Sequence, residues 1–263
     1  MSERAVDLAL FEQMARIGQA AASARRLELL DVLAQGERCV ECLAKAVQMP
    51  VNSTSNHLKV LRNANLVSAR RQGTQVFYST DPHLSGLLRQ LWTVADARLS
   101  EVAQILHQNL PADHVAHQIT HTDLHSRGER DDILLIDVRP EKDYRIAHLP
   151  GAASIPFDQL AQELAGLPAT AQIVTYGRGP YSLAAARAAH LLRQHGHQAR
   201  ALTDGLPQWR AAGLPMIEAP TRIRTRAHPR ASGATATRPP ETRRRAGQPP
   251  HTMQLFFYSL ELR

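Results

Sequence analysis

Residues 55–73 read Ser-Asn-His-Leu-Lys-Val-Leu-Arg-Asn-Ala-Asn-Leu-Val-Ser-Ala-Arg-Arg-Gln-Gly, and this stretch decides how the first half of the chain folds. Leu58 and Leu61 recur at helical spacing, which predicts a helix that ends at about Asn65 and has one apolar face. The period then changes to alternation over residues 67–78, which predicts a hairpin with its turn at the Gln-Gly pair. The sequence therefore predicts a polar helix followed at once by two short strands.

Two more helices are predicted before this stretch. Residues 24–34 carry leucines on one helical face and are followed by Gly36, and residues 40–47 carry a second apolar stripe that Pro50 ends. Three helices and a hairpin, in this order, are typical of a winged helix-turn-helix, whose third helix enters the major groove while the hairpin touches the DNA backbone. A last long helix is predicted over about 81–107.

The predicted third helix and the hairpin carry side chains suited to DNA. Residues 50–80 contain four basic residues and no Asp or Glu. Short hydrogen-bonding side chains near a helix N-terminus suit base edges and phosphates, and arginines on a wing need only charge and reach to contact phosphate. The candidate DNA contacts are Asn52, Ser53, Thr54, Ser55, Asn56, His57, Lys59, Arg62, Arg70, Arg71 and Gln72.

This pattern resembles the ArsR family of winged-helix repressors. The resemblance covers about residues 10–100 and rests on residues 55–67, on Arg-Arg-Gln-Gly at 70–73 and on Phe-Tyr at 77–78. It implies a homodimer that binds double-stranded operator DNA and releases it on sensing a metal or an oxidant. Asn65 departs from the family's usual Gly, at a left-handed position that Asn tolerates.

Cys39 and Cys42 are the only cysteines, and they lie at the start of the helix before the candidate recognition helix. A thiol at a helix N-terminus has a lowered pKa. The ArsR resemblance adds that the family's soft-metal site uses Cys-Val-Cys here, so that Cys39 matches and the second ligand is displaced by one. Two interpretations stay open: a sensor that responds through a soft metal, persulfide sulfur or a disulfide, or two small structural residues. We expect a direct disulfide within one helical turn to strain the helix start.

The chain after residue 110 follows a different pattern. Apolar runs without a helical period at 133–138 and 173–176, and a shorter one at 199–202, alternate with a helical pattern over 183–195. Strands that alternate with helices predict a parallel sheet covered on both faces. The second part of the chain is therefore expected to be an α/β domain.

Two separated signatures in this part resemble the rhodanese domain. The first runs from Asp137 to Pro156, and the second covers residues 202–215, Leu-Thr-Asp-Gly-Leu-Pro-Gln-Trp-Arg-Ala-Ala-Gly-Leu-Pro. The resemblance spans about residues 115–217 and places the active loop between the strand at 173–176 and the next helix. In active rhodaneses a Cys heads this loop, and its thiolate takes a sulfane sulfur.

The active loop of this chain lacks that nucleophile. Fusions of an ArsR domain to a rhodanese domain often carry Cys at both ends of the loop, where this chain has Gly and Ser. Glycine has no nucleophile, and a serine hydroxyl is too weakly acidic to replace a thiolate without a dedicated base. Sulfur transfer is therefore not expected, while the retained arginine predicts an anion cradle. The loop consists of Gly177, Arg178, Gly179, Pro180, Tyr181 and Ser182.

Length and charge complete the division of the chain. It has 263 residues and a net charge of +7. Residues 221–263 hold nine Arg and two acidic residues, so the whole excess lies in this Arg/Pro-rich segment, which is expected to be disordered. We expect a winged helix-turn-helix DNA-binding and dimerisation domain over 1–110 and a rhodanese-like domain over 111–220. The sequence excludes a membrane-spanning protein and a Cys-rich secreted toxin, and a reducing cytoplasm is the expected location.

Five histidines crowd the predicted junction between the two domains. They are His107, His114, His117, His121 and His125. Three of them, His114, His117 and His121, would share a face if the segment were helical. A metal site is weighed there against a solvated linker, which is favoured because no Cys or paired carboxylate completes a ligand set.

Three functions are weighed from these observations. The first is a cytoplasmic, dimeric transcriptional regulator whose degenerate rhodanese-like module serves docking or the sensing of a small sulfur-containing or metal inducer. The second is a sulfurtransferase that an attached DNA-binding domain localises, and the missing loop Cys argues against it. The third is a persulfide-carrying switch that uses Cys39 and Cys42.

Overall fold

The computed structural model describes residues 2–81, 83–126, 133–180 and 182–218. Residues Met1–Thr221 form one compact unit. The Arg/Pro-rich segment that is expected to be disordered lies outside the described residues. Among the described residues, no helix is long and apolar enough to cross a membrane.

The N-terminal region, residues 2–109, has the predicted order of helices and hairpin. Its elements are α1 (Glu3–Ala21), α2 (Ala24–Ala34), β1 (Arg38–Cys39), α3 (Val40–Ala46), α4 (Val51–Asn63), β2 (Val67–Gln72), β3 (Gln75–Thr80), α5 (Leu84–Arg98) and α6 (Ser100–Asn109). Neither α1 nor β1 was predicted from the sequence pattern: only Ala20 and Ala21 of α1 are buried, and β1 is two residues long.

The core of the N-terminal region lies where α2, α3 and α4 meet. Its fully buried leucines are Leu29, Leu30, Leu33, Leu43, Leu58 and Leu61. β3 is the centre of a three-stranded antiparallel sheet between β1 and β2, and its Tyr78 packs into this core. Asn65 has a φ of 58°, which confirms the predicted left-handed position after α4. Because each buried leucine contributes about 1.5–3 kcal/mol, α4 is held by its apolar face and its polar face is left outside.

The prediction of a single long helix over 81–107 is wrong. Two helices, α5 and α6, are separated at Leu99, whose φ of −110° and ψ of 110° are extended. Ser100 begins the second helix, and Glu101 lies in its first turn, where a negative charge complements the helix dipole. Apolar residues recur on both sides of the break, so the sequence pattern did not reveal it.

The C-terminal region, residues 111–218, contains the predicted parallel sheet, which has five strands among the described residues. Its elements are a 3₁₀ turn (Val115–His117), β4 (Gln118–Ile119), α7 (His121–Ser126), β5 (Ile133–Asp137), α8 (Glu141–Ile146), β6 (Ala147–His148), β7 (Ala153–Ser154), α9 (Leu160–Glu163) with a 3₁₀ turn (Leu164–Gly166), β8 (Gln172–Tyr176), α10 (Leu183–Gln194), β9 (Gln198–Leu202), α11 (Leu206–Ala211) and β10 (Ile217–Glu218). The strand order is β4-β9-β8-β5-β7, and β6 pairs separately with β10. β5, β8 and β9 correspond to the three predicted apolar runs, whereas the two-residue strands β4 and β7 were not predicted.

Both faces of the parallel sheet are covered. Ile173 and Val174 are consecutive in β8, and they belong to two different apolar clusters because neighbouring side chains in a strand point to opposite faces. One cluster contains Trp209 of α11, and the other contains Leu192 of α10. The carboxyl end of β8 therefore opens between two packed layers, and the loop that follows it leads into α10.

The segment with the junction histidines is not one continuous helix, so His114, His117 and His121 do not share a helical face. His117 ends a 3₁₀ turn, whereas His121 begins α7 and is separated from it by the strand β4. His121 Nδ1 lies 2.6 Å from Asp204 Oδ2, and His117 Nε2 lies 3.2 Å from Asp113 Oδ2. Within the described part of the chain, no three His, Cys, Asp or Glu side chains group as metal ligands.

Candidate functional site

The outer face of α4 carries most of the predicted DNA contacts. The exposed ones are Asn52, Ser53, Asn56, Lys59 and Arg62, and the half-buried ones are Ser55 and His57. The predicted DNA contact of Thr54 is wrong, because this residue is fully buried and its Oγ1 donates to Pro50 O at 3.0 Å. It lies on the face that packs on the core, so it secures the start of α4 and does not face DNA.

The β2–β3 hairpin forms the wing, and its two arginines differ in their contacts. Arg71 is exposed, and no hydrogen bond or ion pair of its side chain occurs among the described residues. Arg70 donates from Nε to Glu37 Oε1 at 2.6 Å, from Nη2 to Glu37 Oε2, and from Nη1 to Gln72 Oε1 at 2.8 Å. The hydrogen bond to Glu37 raises the pKa of Arg70, so this pair stays charged. Glu37 was missed by the sequence analysis, because its partner is 33 residues away.

Cys39 and Cys42 form a disulfide. Cys39 is the N-cap of α3 with extended φ and ψ of −72° and 158°, and its Sγ also accepts the N–H of Cys42 at 3.1 Å. The expectation of a strained helix start is therefore corrected, because Cys39 precedes the helix and the two Cα atoms are 5.1 Å apart. Cys39 is buried and Cys42 is exposed, so an external thiol reaches the pair through Cys42.

The first residue of the loop after β8, Gly177, has little room for a side chain. A Cβ added to Gly177 would lie 2.5 Å from Ser182 Oγ, so the serine hydroxyl fills the space beside the loop's first residue. On the other side, Gly205 allows close approach, since a Cβ there would lie 2.3 Å from Arg178 O. The loop backbone is therefore packed between the start of α10 and the start of α11. Tyr181 lies outside the described residues.

A cavity of about 580 Å³ opens beside this loop. Its lining includes Arg139, Phe157, Arg178 and Ser182. Arg178 does not point only into the cavity, because its Nη1 and Nη2 lie 3.7 Å from Asp31 Oδ2 and Asp143 Oδ2 respectively. The charge that the predicted anion cradle requires is thus shared with two carboxylates.

The same loop touches the N-terminal region through buried polar contacts. Gln35 is fully buried; its Nε2 donates to Arg178 O at 3.1 Å, and its Oε1 accepts from Arg139 Nη1 at 2.9 Å. Arg38 Nη2 donates to Asp143 Oδ1 at 2.8 Å. These contacts attach the loop after β8 to the turn and strand that lead into Cys39.

Arg139 is the buried centre of this contact on the C-terminal side. It binds both carboxylate oxygens of Asp137 and also donates to Ala147 O at 2.7 Å. Burial, which lowers the pKa of Arg139, is outweighed by Asp137, so the guanidinium stays charged. Burial also raises the pKa of Tyr176, whose ring lies beneath the guanidinium. All three guanidinium nitrogens of Arg139 therefore donate to groups of the protein itself.

Two family patterns match separate stretches of the chain. The pattern described as bacterial regulatory protein, arsR family, matches residues 23–69, and the pattern described as rhodanese-like domain matches residues 120–212. The first covers α2 to the start of β2, which includes the cysteine pair and α4. The second covers four of the five strands of the parallel sheet, all except β4, and the loop after β8.

Similar proteins contain both stretches or one of them. HTH-type transcriptional regulator Rv0324 of Mycobacterium tuberculosis (strain ATCC 25618 / H37Rv) is 41% identical over 211 residues, which is 80% of this chain and 92% of that protein. The transcriptional repressor SmtB homolog of Synechocystis sp. (strain ATCC 27184 / PCC 6803 / Kazusa) is 40% identical over 81 residues, 30% of this chain and 61% of that protein.

Among solved structures, the homodimeric winged helix-turn-helix DNA-binding domain of Mb0332 from Mycobacterium bovis is 42% identical, with a TM-score of 0.35, over 38% of this chain and 91% of that one. The match to Rv0324 runs along nearly the whole of that regulator. The chain therefore belongs to the arsR family of bacterial regulatory proteins, and it carries a rhodanese-like domain.

Proposed function

We propose that this chain is a homodimeric, DNA-binding transcriptional repressor that places α4 in the major groove and the β2–β3 wing on the DNA backbone. The observation that carries the proposal is the exposed polar face of α4, which lies beside a wing with an exposed arginine. Asn52 and Asn56 are one helical turn apart and suit adenine edges, while Lys59, Arg62 and Arg71 suit phosphates. A repressor of this kind acts in the cytoplasm, where its operator DNA is.

A dimer is supported by apolar side chains that the described chain leaves exposed. On α1 they are Val6, Leu8, Leu10, Phe11 and Met14, and on α5 and α6 they include Leu91, Val94 and Ile105. A monomer rarely exposes large apolar residues in such numbers. A second copy that covers them places two recognition helices on successive half-sites of one duplex.

The rhodanese-like domain is proposed to serve docking and sensing without catalysis. Its loop contains no thiol, and its serine hydroxyl is not hydrogen-bonded to a base among the described residues. Its arginine and backbone instead contact Asp31 and Gln35 of the N-terminal region. The domain is therefore attached to the DNA-binding part by the loop that would otherwise handle sulfur.

Cys39 and Cys42 are proposed to be the sensor. Disulfides in a reducing compartment are usually transient and redox-sensing, and this one closes the N-cap of the helix that precedes α4. In the disulfide both sulfurs are occupied, so a soft metal or a persulfide sulfur enters only after reduction. The inducer is therefore a thiol-reactive sulfur compound, an oxidant, or a soft metal that meets the reduced pair.

The test is binding of the full-length protein to the DNA upstream of its own gene. We expect saturable binding of one duplex by one dimer, with 1–3 kcal/mol lost when a contacted base pair is changed. The Lys59→Ala, Arg62→Ala pair should weaken binding to every duplex. Lys142→Ala with Arg145→Ala, which removes two exposed cations from α8, is the matched control. Equal affinity for operator and scrambled duplexes under all conditions would overturn the proposal.

A further inference from the structure

Glu37 occupies, on Arg70, the place that a DNA phosphate would take. Its two carboxylate oxygens accept from Nε and Nη2 of the guanidinium, which is the paired geometry that arginine also uses for phosphate. The remaining Nη1 donates to Gln72, and the guanidinium carbon lies 4.9 Å from the centre of the Phe77 ring. All three guanidinium nitrogens thus donate hydrogen bonds to other side chains of the protein.

The other cations of the DNA-facing surface are not held in this way. Lys59, Arg62 and Arg71 are exposed, and none of their side chains forms an ion pair within the described residues. A sequence-based count gives four cations for the DNA backbone between residues 50 and 80. The structure leaves three of them available and one neutralised.

Glu37 is presented by a segment that is fixed on both sides. The preceding Gly36 approaches the C-terminal region so closely that a Cβ there would lie 2.4 Å from Ile146 Cγ2. The following Arg38 is 4% exposed and paired with Asp143, and Cys39 caps α3. Because the backbone on both sides of Glu37 is fixed, only side-chain freedom is lost when its carboxylate binds Arg70, so it competes well with an external anion. Its side chain is 26% exposed, so solvent and phosphate reach the pair.

Resting on the proposed DNA-binding function, we propose that Glu37 is an intramolecular competitor of DNA phosphate for Arg70 and thereby limits the affinity for any duplex. The competition is blind to sequence, because it concerns a backbone contact. It therefore lowers binding to operator and unrelated DNA alike. Contact of Arg70 with phosphate requires that Glu37 be displaced into solvent with its charge unpaired.

The test is Glu37→Gln in the full-length protein, with the dissociation constant for one operator and one scrambled duplex measured across a series of salt concentrations. We expect several-fold tighter binding of both duplexes and a salt slope steeper by about 0.9, as one added phosphate contact gives. Glu41→Gln is the matched control: it removes the same charge from an exposed residue in the first turn of α3, four positions after Glu37. It should leave the slope unchanged.

Arg70→Ala completes a double-mutant cycle with Glu37→Gln. In that background Glu37→Gln should change affinity and slope no more than Glu41→Gln does, because the group competed for is gone. An effect of Glu37→Gln no larger than that of Glu41→Gln overturns the inference, and so does weaker binding, which would mean that Glu37 orients Arg70 toward phosphate. If the wild-type protein binds no duplex, the proposed function itself fails; if it binds and Glu37→Gln has no effect, only this inference fails.

Discussion

Arg38 and Asp143 are 105 positions apart in the chain and form an ion pair of 2.8 Å whose side chains are 3% and 1% exposed. The pair joins β1, which is paired with the wing strand β3, to α8 of the rhodanese-like domain. Cys39 is the next residue after Arg38. The cysteine pair, the wing and the rhodanese-like domain are therefore connected through two consecutive residues.

Asp143→Asn should destabilise the protein by about 3–5 kcal/mol, because it leaves the Arg38 charge buried without its partner. The free energy of unfolding from urea titration measures this. Glu141→Gln is the control on the same helix: its ion pair with Arg145 is exposed on both sides, so its loss should cost less than about 1 kcal/mol. Equal losses in the two variants would show that the Arg38 contact is not buried in solution.

Arg71→Ala should reduce the salt slope of DNA binding by about 0.9 and weaken all duplexes equally, as loss of one phosphate contact does. Arg70→Ala should have a smaller effect, since Arg70 is already paired with Glu37. Anisotropy titrations at several salt concentrations compare the two variants directly. A larger effect of Arg70→Ala than of Arg71→Ala would reverse the assignment of the wing contact.

The sequence predicted those parts of the molecule that depend on local periodicity. The helix α4, the hairpin after it and the left-handed Asn65 follow from neighbours within a few positions, so the pattern was sufficient. Thr54 was wrongly predicted to contact DNA, because residue type alone does not show which face of the helix packs on the core. Leu99 was missed because an extended residue between two apolar helices leaves the spacing of apolar residues almost unchanged.

Contacts between distant residues could not be predicted. Gln35 reads as a surface residue after a helix, yet it is fully buried between Arg139 and Arg178. Nothing in the local sequence pairs Glu37 with Arg70, because a single sequence carries no information on which distant charges meet. The disulfide depends on the extended backbone of Cys39, which precedes α3 as its N-cap, and the spacing of the two cysteines alone does not indicate that conformation.

Purified wild-type protein should show no thiosulfate:cyanide sulfur transfer above background, because the loop after β8 has no thiolate. Gly177→Cys alone should give a crowded thiol, since its Cβ would meet Ser182 Oγ. Gly177→Cys with Ser182→Ala should relieve the contact and give a thiol with a depressed pKa at the start of the twelve-residue α10. The rate of alkylation as a function of pH reports that pKa. Wild-type turnover that survives in the Cys39→Ser, Cys42→Ser protein would contradict the assignment of a non-catalytic domain.

Reduction of the Cys39–Cys42 disulfide should change the affinity for operator DNA. A dithiol reductant transfers two electrons and two protons to the pair and itself becomes a disulfide, and the N-cap of α3 then carries a thiol that also accepts the Cys42 N–H. The change occurs one short helix before α4, and a coupling of 1–3 kcal/mol would alter the affinity about 5–150-fold. Titration of operator DNA with the oxidised and the reduced protein measures the ratio.

Both cysteines are required for this effect, so Cys39→Ser and Cys42→Ser should each bind DNA with the same affinity before and after reduction. Soft metal ions such as Cd(II) should release DNA from the reduced wild-type protein and have no effect on the disulfide form, in which neither sulfur is available as a thiolate. Glu41→Gln, which lies between the two cysteines and keeps both thiols, should respond as wild type does. If the double serine protein still responds to reductant, oxidant and metal, the cysteines are structural, and the inducer must then act at the loop that carries Arg178.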